Sequence, residues 1–180
     1  LLEKGIDIEA KNDGGRTALF SATIGSGDSE IVRTTIDQKT TISFRRPGYA
    51  KVVKALLDYG ANAETKDDKY LTALNYGIYY DNKEIVQLLL TRCFDTESKS
   101  HALLYAIEKR FYGDIGMFLD EGAQLETKDL HGRTALLVAV ARRCEDMVRI
   151  LLDRGAEIEA RDSSGQTALL IAAQESHEGI

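Results

Sequence analysis

Apolar positions along this chain fall in short clusters separated by longer polar stretches. One kind of cluster follows a threonine: Thr17, Thr72, Thr134 and Thr167 each precede Ala-Leu. After Thr134 the apolar run is unbroken from Ala135 to Ala141. A threonine hydroxyl can satisfy a free first-turn N–H, so each Thr-Ala-Leu predicts the start of a short helix. A second kind reads like Glu84-Ile85-Val86-Gln87-Leu88-Leu89-Leu90, apolar at i, i+1, i+3 and i+4, which is one face of a helix. Such clusters stop at Gly5, Gly60, Gly122 or Gly155, where glycine accepts the left-handed backbone that ends helices. Ala106, Ala139 and Ala172 recur at one offset inside the first kind, and small side chains there let helices approach closely. The polar stretches carry Asp or Asn and often Gly, which predicts turns.

The clusters repeat with a period. Thr134 and Thr167 are 33 residues apart. One period before Thr134 stands His101, in a degenerate copy that places it at the helix-start position. Thr72 to His101 spans only 29 residues, so that repeat is four short. Thr17 to Thr72 spans 55, so that repeat carries 22 extra residues. The predicted organisation is a partial repeat at 1–11 and a repeat with an insertion at 12–66. A short repeat at 67–95, a degenerate one at 96–128 and a regular one at 129–161 follow, with a partial repeat at 162–180. The expected insertion loop covers about 25–47, with a helical turn at 28–36 as an option. Of two candidate second helices in this repeat, the later one, from Gly48 into Asp58-Tyr59-Gly60, is expected to pair with the helix after Thr17.

The motifs Gly-x-Thr-Ala-Leu (Gly15, Gly132, Gly165), Glu-Ile-Val (Glu30, Glu84) and Leu-Leu-x-x-Gly-Ala (Gly60, Gly155) at this period resemble the ankyrin repeat. Thr-Ala-Leu stands where that family usually has Thr-Pro-Leu-His, a variation that the first helical position tolerates. The resemblance implies an all-α ankyrin-repeat solenoid of stacked helix-turn-helix units, with projecting loops or β-hairpins. It also implies binding through a concave face made of loop tips and first helices. On that face the loop tips carry Asp13, Gly14, Asp68, Lys69, Leu130, His131, Ser163 and Ser164. The ends of the first helices carry Tyr79 and Tyr80, Glu108 and Lys109, Ala141 and Arg142, and Gln174 and Glu175. Lys109, Arg110, Arg142 and Arg143 occupy matching offsets in adjacent repeats, so stacking is expected to gather them into a basic patch. Tyr79 and Tyr80 fall one repeat away, and Tyr and Arg are the residues most enriched at interface hot spots. The predicted contact set is therefore Tyr79, Tyr80, Lys109, Arg110, Arg142, Arg143, His131 and Leu130. The competing reading of the cations is that they complement helix C-termini.

Charge and composition narrow the function. The 180 residues carry a net charge of −6. That argues against nucleic acid as the main partner, because phosphate binding needs clustered cations. No apolar stretch approaches the ~20 residues of a membrane-spanning helix. Two cysteines, Cys93 and Cys144, exclude a disulfide framework and suggest a reduced, intracellular compartment. The chain starts at Leu1 without a secretory pattern and is expected to be a piece of a longer protein.

Nothing in the sequence points to catalysis, a metal or a cofactor. His101, His131 and His177 lie in separate repeats without metal-ligand spacing. No Gly-x-Ser-x-Gly elbow or Gly-Lys-Ser/Thr phosphate loop occurs. Glu9, Glu64, Glu126 and Glu159 share one offset, and Lys11, Lys66, Lys128 and Arg161 another. Such repetition indicates a structural ladder, read as a row of exposed charge pairs, with a contact stripe as the alternative. For the insertion three readings stand: a tolerated surface loop, a partner-contacting loop using Phe44, Arg45 and Arg46, or a misread gene structure. Gly113 and Gly116 in the degenerate repeat predict a soft second helix. The expected function is a non-catalytic, monomeric protein-protein interaction module, a scaffold or adaptor whose partner offers an acidic segment. The rivals are an accessory recognition domain of a larger kinase, ubiquitin ligase or hydrolase, and a structural tether.

Overall fold

A computed structural model describes residues 7–24, 31–37, 40–45, 49–92, 95–111 and 113–174. The chain divides into two compact units, Leu1–Cys93 and Phe94–Ile180. Within the first lie helices α1 (Ala18–Ile24), α2 (Tyr49–Asp58), α3 (Ala73–Tyr79) and α4 (Lys83–Leu90). The second holds α5 (Thr96–Glu108), α6 (Gly116–Asp120), α7 (Ala135–Ala141), α8 (Glu145–Asp153) and α9 (Ala168–Gln174). Within each unit a helix that follows a repeat threonine packs on the helix after it, as α3 does on α4. In the first unit α1 packs on α2 and α3, and in the second α7 packs on α8 and α9. This is the helix-turn-helix repeat architecture expected, and the later of the two candidate second helices, α2, is the one that pairs with α1.

The core is built from the first helices. In α7 every residue from Ala135 to Val140 is buried. A helix of seven residues is too short to be stable alone in water, so burial against neighbours supplies its stability. Each fully buried leucine or isoleucine contributes about 1.5–3 kcal/mol. Leu103, Ile107 and Phe118 fill the second unit, and Phe20, Ile78, Ile85 and Leu89 the first. The small position is confirmed at Ala22, Ala106 and Ala139, all fully buried. In α3 it is Gly77, whose added Cβ would sit 3.2 Å from Val86 Cγ2.

The caps are more varied than the sequence suggests. Thr72 forms a capping box with Asn75, its hydroxyl accepting the Asn75 N–H. Thr134 at the same repeat position makes no side-chain cap bond. His101 is not a helix start. Asp95 caps α5 instead, accepting the Glu97 and Ser98 N–H groups, and the helix already includes His101, which contacts the Glu97 carbonyl at 3.0 Å. No glycine turn precedes His101, and an aspartate six residues earlier offers the stronger cap.

The insertion also differs from expectation. Residues 31–36 are not helical: β1 (Ile31–Asp37) pairs antiparallel with β2 (Thr40–Arg45), from Ile31 opposite Arg45 to Thr35 opposite Thr41. The density of β-branched residues, Ile31, Val32, Thr34, Thr35 and Ile36 in β1 with Thr40, Thr41 and Ile42 in β2, favours this over a helical turn. These are the strands found among the described residues, whereas the repeat loops are successive turns. Arg46, Pro47, Cys93 and His177 lie outside the described residues, as do the side chains of Phe44 and Arg45.

In the degenerate repeat, Gly113 precedes the second helix rather than lying in it, and α6 shrinks to five residues. A Cβ at Gly113 would fall 2.1 Å from the Phe111 ring, which packs edge-on against Phe118. Amide hydrogen exchange is therefore expected to be faster in 114–121 than in 145–153; equal protection would remove this weak point.

Tyr70 stands where other repeats have glycine and is held at φ 60 while exposed. Replacing it, Tyr70→Gly, should stabilise the protein by about 0.5–1 kcal/mol in urea unfolding. Gly132→Ala should do the reverse by ~1–2 kcal/mol, because its Cβ would meet the Ser163 backbone nitrogen at 2.8 Å and φ is 72.

Candidate interaction surface

Each projecting loop is built on one residue. Asn12, Asp67, Asp129 and Asp162, all five before the repeat threonine, accept the N–H groups two and four residues ahead. The distances are 3.0 and 3.1 Å at Asn12, 2.9 and 3.0 Å at Asp67, and 2.8 and 2.9 Å at both Asp129 and Asp162. The backbone closes the same turn, as where the Asp129 N–H donates to the Arg133 carbonyl at 3.0 Å. A short carboxylate or amide satisfies the backbone locally, so the loop needs no strand partner.

Successive loops are then tied together. In the first unit the Asp68 N–H donates to the Gly14 carbonyl at 3.3 Å, and in the second the Ser163 N–H to the His131 carbonyl at 3.0 Å. The repeated glutamates and lysines serve the same end. Glu9 accepts the Asn62 N–H at 2.8 Å and the Thr65 hydroxyl at 2.9 Å, and Glu126 accepts the Glu157 N–H at 2.9 Å. Lys11 donates to the Lys66 carbonyl and Lys128 to the Arg161 carbonyl, both at 3.1 Å. Glu9, Glu126, Lys11 and Lys128 thus act on the backbone of the following repeat rather than on one another, while Arg161 donates within its own loop to the Gly165 carbonyl at 2.9 Å. Where the next loop is four residues shorter the ladder stops, and a buried oxygen of Glu64 finds no donor among the described residues. On the far side of that break, Ser100 Oγ takes over and accepts the Gln124 N–H at 2.8 Å.

Two charged groups brace the loops against the first helices. In the first unit Tyr76 donates its hydroxyl to Asp67 at 2.8 Å, and Arg16 reaches both Tyr76 (2.7 Å) and Asp67 (3.4 Å). Burial works against the Asp67 carboxylate, but hydrogen bonds from Tyr76, the Leu71 and Lys69 amides and Arg16 outweigh it and hold its pKa below the ordinary range. The same burial, with Asp67 as acceptor, raises the Tyr76 phenol. In the second unit Arg133 grips Asp129 of its own loop at 2.7 Å and reaches Glu108 at the end of α5 at 3.9 Å. There too burial is outweighed by the Arg133 amide and guanidinium and the His131 amide, and the carboxylate pKa is lowered.

The predicted contact residues divide. Leu130 is fully exposed at a loop tip, beside exposed His131. Both line an open hollow of about 470 Å³ with Arg133, Ala141, Gln166 and Gln174, so loop tips and first-helix ends do share a face. The cations do not form a bare patch. Arg142 forms a two-point ion pair with Glu108, its Nε lying 3.0 Å from Oε2. Arg110 donates to the Arg142 carbonyl at 2.6 Å, and Lys109 lies 5.5 Å over the Tyr105 ring. Arg110 and Arg143 line a different hollow of about 460 Å³, with Phe111, Ile115 and Met147. Both have left-handed backbones, φ 54 and 57, at the turn between paired helices. Glu108, expected at a first-helix end beside Lys109, is the carboxylate that engages the arginine one repeat on. In the first unit Tyr79 and Tyr80 are exposed, with rings edge-to-face at 5.1 Å.

The described residues include no group of His, Cys, Asp and Glu arranged to hold a metal ion. No described helix is long and apolar enough to cross a membrane. Burial pushes the Cys144 thiol up despite Arg110 and Arg142, so it is protonated at neutral pH.

A family model described as ankyrin repeats in three copies matches residues 42–129 and 115–180. The chain belongs to the ankyrin-repeat family. Ankyrin repeats are protein-protein interaction modules. Among relatives, a putative ankyrin repeat protein of Fowlpox virus is 30% identical over 101 residues, covering 51% of this chain and 72% of that protein. A transient receptor potential cation channel subfamily A member 1 homolog of Caenorhabditis elegans is 28% identical over 152 residues, 75% of this chain. This chain spans only 12% of the length of that relative.

The Asp129 pair has a pH signature. An asparagine keeps the turn, as Asn12 does, but loses the ion pair. Asp129→Asn should therefore cost about 0.5–1 kcal/mol at pH 7. A lowered carboxylate pKa stabilises the fold above the unfolded value of about 4 and loses that stabilisation as pH falls through the folded value. Urea unfolding at pH 7 and pH 3 should show the difference between the two proteins shrinking at the lower pH.

Proposed function

We propose that this ankyrin-repeat chain is a non-catalytic module that binds a partner protein through the face made by loop tips and first-helix ends. One observation carries the reading: Leu130, His131, Ala141 and Gln174, drawn from two successive repeats, line a single hollow, and Leu130 is a large apolar residue left fully exposed there. An exposed leucine on a loop that is hydrogen-bonded into place costs little to order on binding. The internal pairing of Arg142 with Glu108 lowers the charge that an acidic segment would meet.

A second reading has its own support. The chain corresponds to a small part of a much longer cation-channel homolog, which favours a recognition segment serving a larger protein.

Affinity purification with the wild-type chain should recover a saturable partner. The double variant Leu130→Asp/His131→Asp should lose at least about tenfold in affinity while keeping its melting temperature. An undiminished affinity would remove this face from the reading.

A further inference from the structure

The first unit carries the corresponding positions with different chemistry. Counting from the repeat threonine, Leu130, His131 and Ala141 of the hollow correspond to Asp68, Lys69 and Tyr79. The neighbouring positions hold Tyr70 at the loop tip and Tyr80 at the helix end. All three tyrosines are largely exposed: 83% at Tyr70, 60% at Tyr79 and 50% at Tyr80. Such exposure of three rings in one repeat contrasts with the second unit, where the corresponding positions hold Gly132, Ala141 and Arg142.

The rings are held in place from below. Tyr80 stacks on Tyr76, centroids 6.5 Å apart and planes 18° apart, and Tyr79 meets Tyr80 edge-on. Tyr76 in turn packs edge-on against buried Phe20 at 5.9 Å and is locked by its hydrogen bond to Asp67. The face of Tyr76 already accepts a guanidinium, with Arg16 4.9 Å from its centroid. Two exposed carboxylates, Asp13 and Asp68, stand at adjacent loop tips, joined by the Asp68–Gly14 hydrogen bond. Lys69 is the cation beside them. The chain as a whole is at −6, which draws cations toward it.

Aromatic rings fixed in place, with carboxylates at the rim, match a cation carried on a peptide better than an anion or an apolar strand. We infer that the exposed Tyr79–Tyr80 pair, with Tyr70, Asp13 and Asp68, forms a docking platform for an arginine-bearing segment of a partner protein. This rests on the proposed binding face and specifies its chemistry in the first unit. The guanidinium lies over a tyrosine ring, as Arg16 does over Tyr76, and the carboxylates of the loop tips pair with neighbouring cations of the segment.

The test is fluorescence anisotropy on the full chain with a labelled twelve-residue peptide of alternating Arg and Ser, against a Glu-Ser peptide of equal length. Saturable binding of the Arg-Ser peptide is expected, weakening with added salt. Tyr79→Ala should weaken it by about tenfold, and Asp13→Lys/Asp68→Lys by a similar factor. Tyr79→Phe, which keeps the ring face, should restore it. Melting temperatures are read in parallel, so that a fold defect is recognised; should Tyr79→Ala melt early, Tyr70→Gly, which removes an exposed ring at a position whose backbone favours glycine, should weaken Arg-Ser binding instead. Preference for the Glu-Ser peptide, or Arg-Ser binding indifferent to Tyr79→Ala and to the aspartate reversals, overturns the platform. Loss of the platform with the Leu130/His131 effect intact leaves the binding face standing; loss of both removes the two together.

Discussion

Every helix that follows a repeat threonine is too short to persist by itself, and this constraint shapes the rest of the protein. Seven residues close only a few intrahelical hydrogen bonds, too few to offset the entropy of nucleation. Ala135 to Val140 become helical because they are buried on all sides by α8, α9 and the long α5. The small residues at Ala22, Gly77, Ala106 and Ala139 are the geometric counterpart, since they set how closely neighbouring helices approach. Stability is therefore distributed between neighbours, as in other repeat folds.

The projecting loops face the opposite problem: exposed, polar and without a core. Their order comes from hydrogen bonds arranged in two layers. Within a loop, an Asp or Asn side chain gathers two backbone amides. Between loops, glutamates and lysines reach the backbone of the next repeat. The result is a surface whose backbone is rigid and whose tips are chemically free to differ: Asp68 and Lys69 in one unit, Leu130 and His131 in the other. Such an arrangement suits recognition, because little ordering cost remains when a partner arrives.

Local departures from the repeat are compensated locally. Loss of four residues before the degenerate repeat removes a ladder carboxylate, and Ser100 supplies an acceptor to Gln124 in its place. That repeat's first helix lengthens toward its N-terminus under the Asp95 cap, while its second helix, preceded by Gly113 and opening at Gly116, shortens to five residues. The insertion forms a strand pair instead of extending a helix.

Period, helix pairing and the small packing positions were legible in the amino-acid order, because burial repeats with the period and writes apolar residues at fixed offsets. So was the choice of α2 over the earlier candidate, since α2 alone runs into a helix-ending glycine. The fate of the charges was not legible. Glu9 and Glu126 bind backbone amides, and Arg142 turns to Glu108, because partners one repeat away come within reach only once the helices stack. Linear spacing places a side chain on a helix, but which neighbour satisfies it depends on distances that the tertiary packing alone creates.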